Sequence, residues 1–141
     1  KKWIKMLIEL PNTKTRRIDD ISFRLCHGSP WDAGLYIYPD SPKKIINRCI
    51  SRGTDYVLIG HSHYPFFHKK KNAVLINSGS VGQSREEGGI ADWAIIDTAR
   101  KSFALKKTEY NPSEILKEVK RTDPKTVYLS KVILRQKKRG I

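Results

Sequence analysis

Residues 56–65 read YVLIGHSHYP. The first four, Tyr56–Ile59, are a short, continuous apolar run of strand formers, the pattern of a strand covered on both faces. The run ends in Gly60-His61, and the stretch holds two of the four histidines in the chain, His61 and His63. Residues 73–77 repeat the arrangement, an apolar run that ends in Ser78-Gly79-Ser80. Upstream, Ile21–Cys26 alternates Ile21, Phe23 and Leu25 against Ser22, Arg24 and Cys26, the period of a strand with one wetter face, and leads into His27-Gly28. Between these strands, Ser41-Pro42 predicts a helix start, with Ser41 as N-cap and Pro42 at the first helical position. Ile45, Ile46, Cys49 and Ile50 form its apolar face and Gly53 closes it. A helix followed by a buried strand is the signature of an α/β fold.

Further along, residues 65–69 predict a strand that turns at 70–72, and residues 93–97 and 102–109 predict a hairpin pair around 98–101. Asn111-Pro112 with Glu114 reads as a capping box opening a helix that buries Ile115, Leu116 and Val119. VYLSKVIL at 127–134 is the last apolar segment, followed by the basic end RQKKRGI. At the other end, KKWIKMLIEL fits either a strand or a short helix, stopped by Pro11. No internal repeat or low-complexity linker interrupts the chain.

A length of 141 residues is of single-domain size, and residues 1–141 read as one domain. With 38% apolar and 30% charged residues, wholesale disorder is excluded. Twenty-eight Lys and Arg against fourteen Asp and Glu leave a net charge of +14, which favours polyanionic partners. Charge alone admits a nucleic acid. The basic runs, at Lys1-Lys2, 69–71 and 137–139, carry no interleaved aromatic platform, so a solvated basic face is the simpler reading. Cys26 lies in a strand-like run and Cys49 on an apolar helical face, where reduced thiols act as small hydrophobes. No apolar run approaches the ~20 residues needed to cross a bilayer. No small-residue cleavage site follows the N-terminal stretch, so the chain reads as cytoplasmic and without a membrane partner.

His27, His61 and His63 each fall just past a predicted strand, in the glycine-bearing turns CHGS and GHSH. In open α/β sheets, ligands bind in the crevice outside the strand carboxyl ends, and neutral imidazole is the commonest metal ligand. The three are therefore expected in one cluster, aimed by tight or positive-φ conformations at Gly28 and Gly60, with His68 outside it. Spacing alone leaves His61 and His63 open as ligands or as hydrogen-bonded loop residues.

CHGSPWD at 26–32, YVLIGHSHYP, LINSGSVGQSR at 75–85 and ADWAIID at 91–97, in this order, resemble the C-terminal half of the calcineurin-like metallophosphoesterases, in particular their small bacterial and archaeal phosphodiesterase branch. The resemblance implies a sandwich of two mixed sheets with helices outside. It implies a two-metal centre filled by manganese, iron, zinc, nickel or cobalt, with His27 and His61 matching ligands of one ion and His63 a ligand of the other. The chemistry implied is hydrolysis of phosphodiesters or nucleotides by in-line attack of a metal-bound hydroxide. Asn77 and Arg85, in or next to the loop after the following strand, are candidates for binding the substrate, Arg85 through bidentate contact with a phosphate. Trp31, Tyr36 and Tyr38 either wall a pocket for an aromatic group or serve as core and lid packing.

The Asp-x-His, Gly-Asp and Gly-Asn-His-Asp motifs that carry the family's remaining ligands do not occur in this sequence. By resemblance the chain is then the C-terminal half of such a domain, its N-terminal half missing. The expected partners are a phosphate-ester substrate and either that half or a second copy of the chain. Alternatively, the three imidazoles form a mononuclear site with an open position, or the chain is a non-catalytic protein-interaction scaffold of the same fold.

Overall fold

A computed structural model describes residues 2–51, 53–125 and 127–136; Lys1 and the basic run 137–139 lie outside the described residues. Along the chain the elements are α1 (Lys2–Ile8), β1 (Thr13–Ile18), β2 (Ile21–Cys26), α2 (Lys43–Cys49), β3 (Tyr56–Ile59), β4 (Pro65–Lys70), β5 (Ala73–Ser78), β6 (Ile90–Asp97), β7 (Ser102–Glu109), α3 (Ser113–Thr122) and α4 (Val127–Ile133). Five strands form a mixed sheet in the order β1-β2-β3-β5-β4, and β6 pairs with β7 in a separate antiparallel ribbon. The centre, β2, β3 and β5, is parallel, while β1 and β4 run antiparallel at the edges. This is an α/β sandwich with a mixed sheet and flanking helices. Its second layer within this chain is a two-stranded antiparallel ribbon rather than a mixed sheet.

The central strands read as continuous apolar runs because both of their faces are covered. Val57, Ile59 and Leu75 point to one side, into a core with Ile37, Ile46 and Cys49 that α2 seals. Tyr56 and Ile76 point to the other, where they join Ile21 and Phe23 under Ala94, Ile96, Phe103 and Leu105 of the ribbon. Val57 and Leu75 are fully buried, and each side chain of this size contributes about 1.5–3 kcal/mol when taken out of water. Cys26 and Cys49 are both free, and burial pushes the Cys49 thiol up to about 11, which keeps it an unreactive thiol at neutral pH.

Several local expectations change. KKWIKMLIEL is helical, but α1 has no buried residue and leaves Trp3, Ile4, Leu7 and Ile8 exposed. Ser41 does not cap α2. Its Oγ accepts the Tyr38 N–H at 2.8 Å, and Pro42 occupies the N-cap position with no side-chain cap. Nor does a capping box open α3: Asn111 Oδ1 accepts the Ser113 N–H at 3.0 Å, and Glu114 pairs with Lys117. Ile115 is exposed rather than buried. No helix among the described residues is long and apolar enough to cross a membrane.

The consequence for function is one of position. Because β2, β3 and β5 are adjacent and parallel, their C-terminal ends share one sheet edge. His27, the GHSH turn and the SGS turn all leave from that edge.

Candidate metal centre

His27 Nε2 and His61 Nδ1 stand 2.9 Å apart and share a proton across a hydrogen bond. The loops are tied beneath them, since the Gly60 N–H donates to the His27 carbonyl at 2.8 Å. Gly28 is required by a different approach, that of the 32–33 backbone, since a Cβ there would lie 2.5 Å from the Ala33 carbonyl oxygen.

Contrary to expectation, neither Gly28 nor Gly60 carries the positive φ. The histidines do, His61 at 62° and His63 at 55°. The Ser62 N–H donates to the Gly60 carbonyl at 2.7 Å, so His61 is the central residue of a γ-turn. Left-handed backbone at non-glycine residues costs of order 1–3 kcal/mol and persists only where neighbours over-determine it, typically at functional sites.

Asn77 is such a neighbour. Fully buried at the end of β5, it donates through Nδ2 to the Gly60 carbonyl and to Ser62 Oγ, both at 2.9 Å, and accepts the Gly79 N–H at 2.9 Å. Its side chain clamps the GHSH turn to the SGS turn and presents nothing to solvent, which is a different task from the substrate contact expected of it. His63 is fixed separately. Its Nδ1 donates to the Gln83 carbonyl at 3.1 Å, and its own carbonyl accepts the Arg85 N–H at 3.1 Å. That leaves His63 Nε2 as the ring's lone-pair nitrogen, the arrangement in which a metal-ligating histidine is oriented by a backbone carbonyl. Half-buried Arg85 is thereby placed beside His63. His68 lies on β4 with Nε2 3.2 Å from Asn47 Oδ1, tying that strand to α2.

The donor set fits a divalent transition ion in part. Two imidazole nitrogens bound cis to one ion at ~2.0–2.1 Å would stand ~2.9 Å apart, as His27 and His61 do. Yet among the described residues no three His, Cys, Asp or Glu side chains are grouped to hold one ion. A cleft of about 590 Å³ lined by Phe67, Lys69 and Phe103 does not touch the histidines; the pair lies on the open edge instead.

Beneath the SGS turn lies a group that sequence reasoning passed over. Asp92 is 1% exposed, and neither carboxylate oxygen has a hydrogen-bond partner among the described residues. Burial pushes its pKa up; the nearby Ser84 hydroxyl and Lys107 pull it only partly back, and Ser84 closes no hydrogen bond to it. A carboxyl group with a raised folded-state pKa binds its proton more tightly folded than unfolded. Its contribution to stability is therefore lost as pH rises from the ordinary carboxylate range through the raised value. Asp92→Asn is expected to raise stability at pH 7 by about 1 kcal/mol or more and to leave it nearly unchanged below pH ~4, as read by urea unfolding at the two pH values.

The family model of the calcineurin-like phosphoesterase superfamily domain matches residues 2–101. An uncharacterized protein of Methanocaldococcus jannaschii is 26% identical over 128 residues, covering 77% of this chain and 49% of its own length. Two crystal structures superpose with a TM-score of 0.77. One is a hypothetical protein of Pyrococcus horikoshii OT3, 19% identical, covering 91% of this chain and 52% of its own. The other is a metallophosphoesterase of Sphaerobacter thermophilus, 20% identical, covering 93% and 60%. The chain thus spans about half the length of the curated relative it matches.

Proposed function

Since the chain belongs to the calcineurin-like phosphoesterase superfamily, we propose that it forms the histidine-bearing part of a metal-dependent phosphoesterase site acting on phosphodiesters or nucleotides. The observation that carries this reading is the 2.9 Å convergence of His27 Nε2 and His61 Nδ1 at the C-terminal edge of the parallel strands. His27 and His61 would hold one divalent ion and His63, through Nε2, a second. Such ions supply a water of lowered pKa and neutralise charge developing on the phosphate. The chain's own residues do the positioning. Asn77 holds the γ-turn that aims His61, the Gln83 carbonyl fixes the tautomer of His63, and Arg85 offers a guanidinium for a phosphate oxygen.

The carboxylate ligands that two ions require come, in this reading, from polypeptide outside these 141 residues. Assayed alone with manganese, the chain is expected to hydrolyse bis(4-nitrophenyl) phosphate at or below detection. A longer polypeptide that supplies the Asp-x-His and Gly-Asn-His ligands is expected to turn it over, and His61→Ala within that polypeptide to lower the rate by about 10³-fold or more. Full turnover by the 141 residues alone would overturn the division of ligands. An inert completed protein would overturn the phosphoesterase reading and leave a binding scaffold.

A further inference from the structure

The loop that follows the SGS turn is held from two sides. On one side it meets His63: the Gln83 carbonyl accepts the ring's Nδ1–H at 3.1 Å, and the Arg85 N–H donates to the His63 carbonyl, also at 3.1 Å. On the other side it meets the segment that ends α4. The Arg135 guanidinium donates through Nη1 to the Ser84 carbonyl at 3.1 Å, and the Arg135 carbonyl accepts the Gly88 N–H at 2.7 Å. One residue, distant in sequence, thus grips both ends of 84–88. Tyr110 extends the grip by one position, its N–H donating to the Gly89 carbonyl at 2.9 Å.

The approach is close. A Cβ at Gly88 would collide with the Ile133 carbonyl and stand 2.7 Å from the Arg135 backbone nitrogen, so glycine is what lets the end of α4 reach the loop. Val132 and Ile133 are buried, and Ser84 is 2% exposed. A buried backbone carbonyl that loses its donor costs free energy comparable to a lost hydrogen bond, which gives the guanidinium a definite task at Ser84. Each of these is a contact made within the chain, and none depends on a surface left open. Arg135 and Tyr110 both lie beyond residues 2–101, the stretch that the family model matches.

Covalent geometry joins the two sides. The Ser84 carbonyl and the Arg85 N–H belong to one peptide unit, which is planar and trans, so the two groups point in opposite directions and turn together. Arg135 holds one side of that plane and the His63 carbonyl the other. Donation to the carbonyl also polarises the N–H across the plane and strengthens its bond. The next plane back carries the Gln83 carbonyl, the group that keeps the His63 proton on Nδ1.

We infer that Arg135 is a positioning residue for His63: by fixing the 84–85 peptide plane from behind, it holds the loop that sets the His63 tautomer and leaves Nε2 with its lone pair. This rests on the reading of His63 Nε2 as a metal ligand, and it makes the C-terminal segment part of the site.

The test reads the His63 ring directly. In a long-range proton–nitrogen correlation spectrum at pH ~8, where imidazoles are neutral, the ring nitrogen shifts distinguish the two tautomers. The metal-free 141-residue chain is expected to hold His63 as Nδ1–H in more than about nine-tenths of molecules, and Arg135→Ala to lower that fraction to about half. Arg135→Lys keeps a donor for the Ser84 carbonyl and should lessen the loss. Gly88→Ala, which drives the end of α4 off the loop, should match or exceed Arg135→Ala. His68, held by Asn47 on β4, should keep one tautomer throughout. An unchanged His63 tautomer in Arg135→Ala or Gly88→Ala overturns the inference. So does a loss that Arg135→Lys fails to lessen, or one that His68 shares, which marks loosening of the whole fold. Zinc titration of the same proteins reads the ligand assignment separately, with affinity expected to fall by about three- to tenfold in Arg135→Ala. A shifted tautomer with unchanged zinc affinity would remove His63 from the ligands and keep Arg135 in its positioning role.

Discussion

Replacing His61 and His63 together by alanine is expected to abolish zinc and manganese binding by this chain, and His68→Ala to leave it intact. The asymmetry follows from where each ring goes. His61 and His63 sit in left-handed backbone at the sheet edge, a conformation that a side chain of this size adopts at a cost and that Asn77 and the Gln83 carbonyl maintain. Removing both rings leaves His27 alone, and a single imidazole holds a divalent ion no better than an unfolded peptide does. His68, by contrast, already uses Nε2 against Asn47 in the body of the sheet, so its loss perturbs the contact with α2 and no ligand. Calorimetric titration of the three proteins at neutral pH separates these outcomes. Binding to the unaltered chain should weaken in acid, since imidazolium has no lone pair to donate. Equal affinity in the double variant and the parent would remove both histidines from the site.

The elements that position this edge were legible because burial dictates them. Tyr56–Ile59 is apolar at every position since α2 covers one face and the ribbon the other, and the same holds for most of β5. What could not be read is what depends on a partner instead of a period. β1, TKTRRI, has one apolar residue and five exposed ones, with no alternation to announce it. It is a strand only because β2 offers an unpaired edge and Asp19-Asp20 makes a two-residue turn, Asp19 taking φ 50° and Ile18 pairing with Ile21. Its charges are those expected on an edge that must not recruit another chain. The same distinction governs the site. His27, His61 and His63 are marked by their place after strands, but the clamp at Asn77 and the buried carboxyl of Asp92 arise from contacts across loops. The glycines mislead for a related reason. Gly60 looks like the residue that bends the chain, yet its carbonyl serves as an acceptor and the unusual φ passes to the histidine after it.

Gly79 is the position where glycine is required on both counts, and Gly79→Ala is expected to lower stability by more than about 3 kcal/mol. Its φ is +86°, a region in which an L side chain costs roughly 1–2 kcal/mol from backbone sterics alone. A Cβ there would also stand 2.5 Å from Asp92 Cβ, closer than two carbons can approach, and Asp92 is packed at the base of β6 with no room to retreat. The strain would spread to the site, because the Gly79 N–H donates to the same Asn77 side chain whose amide holds the GHSH turn through two further hydrogen bonds. Zinc affinity should therefore fall along with the urea midpoint. The two causes can be told apart with Asp92→Gly, which removes the Cβ that the new methyl would meet at 2.5 Å. Combined with Gly79→Ala it removes the collision but none of the φ strain, so the double variant should recover about half of the lost stability relative to Asp92→Gly alone. If Gly79→Ala proves neutral, the SGS turn does not have the conformation described, and the clamp on His61 goes with it. If the double variant recovers nothing, the backbone angle alone makes glycine necessary, and Asp92 is not the wall against which the turn is set.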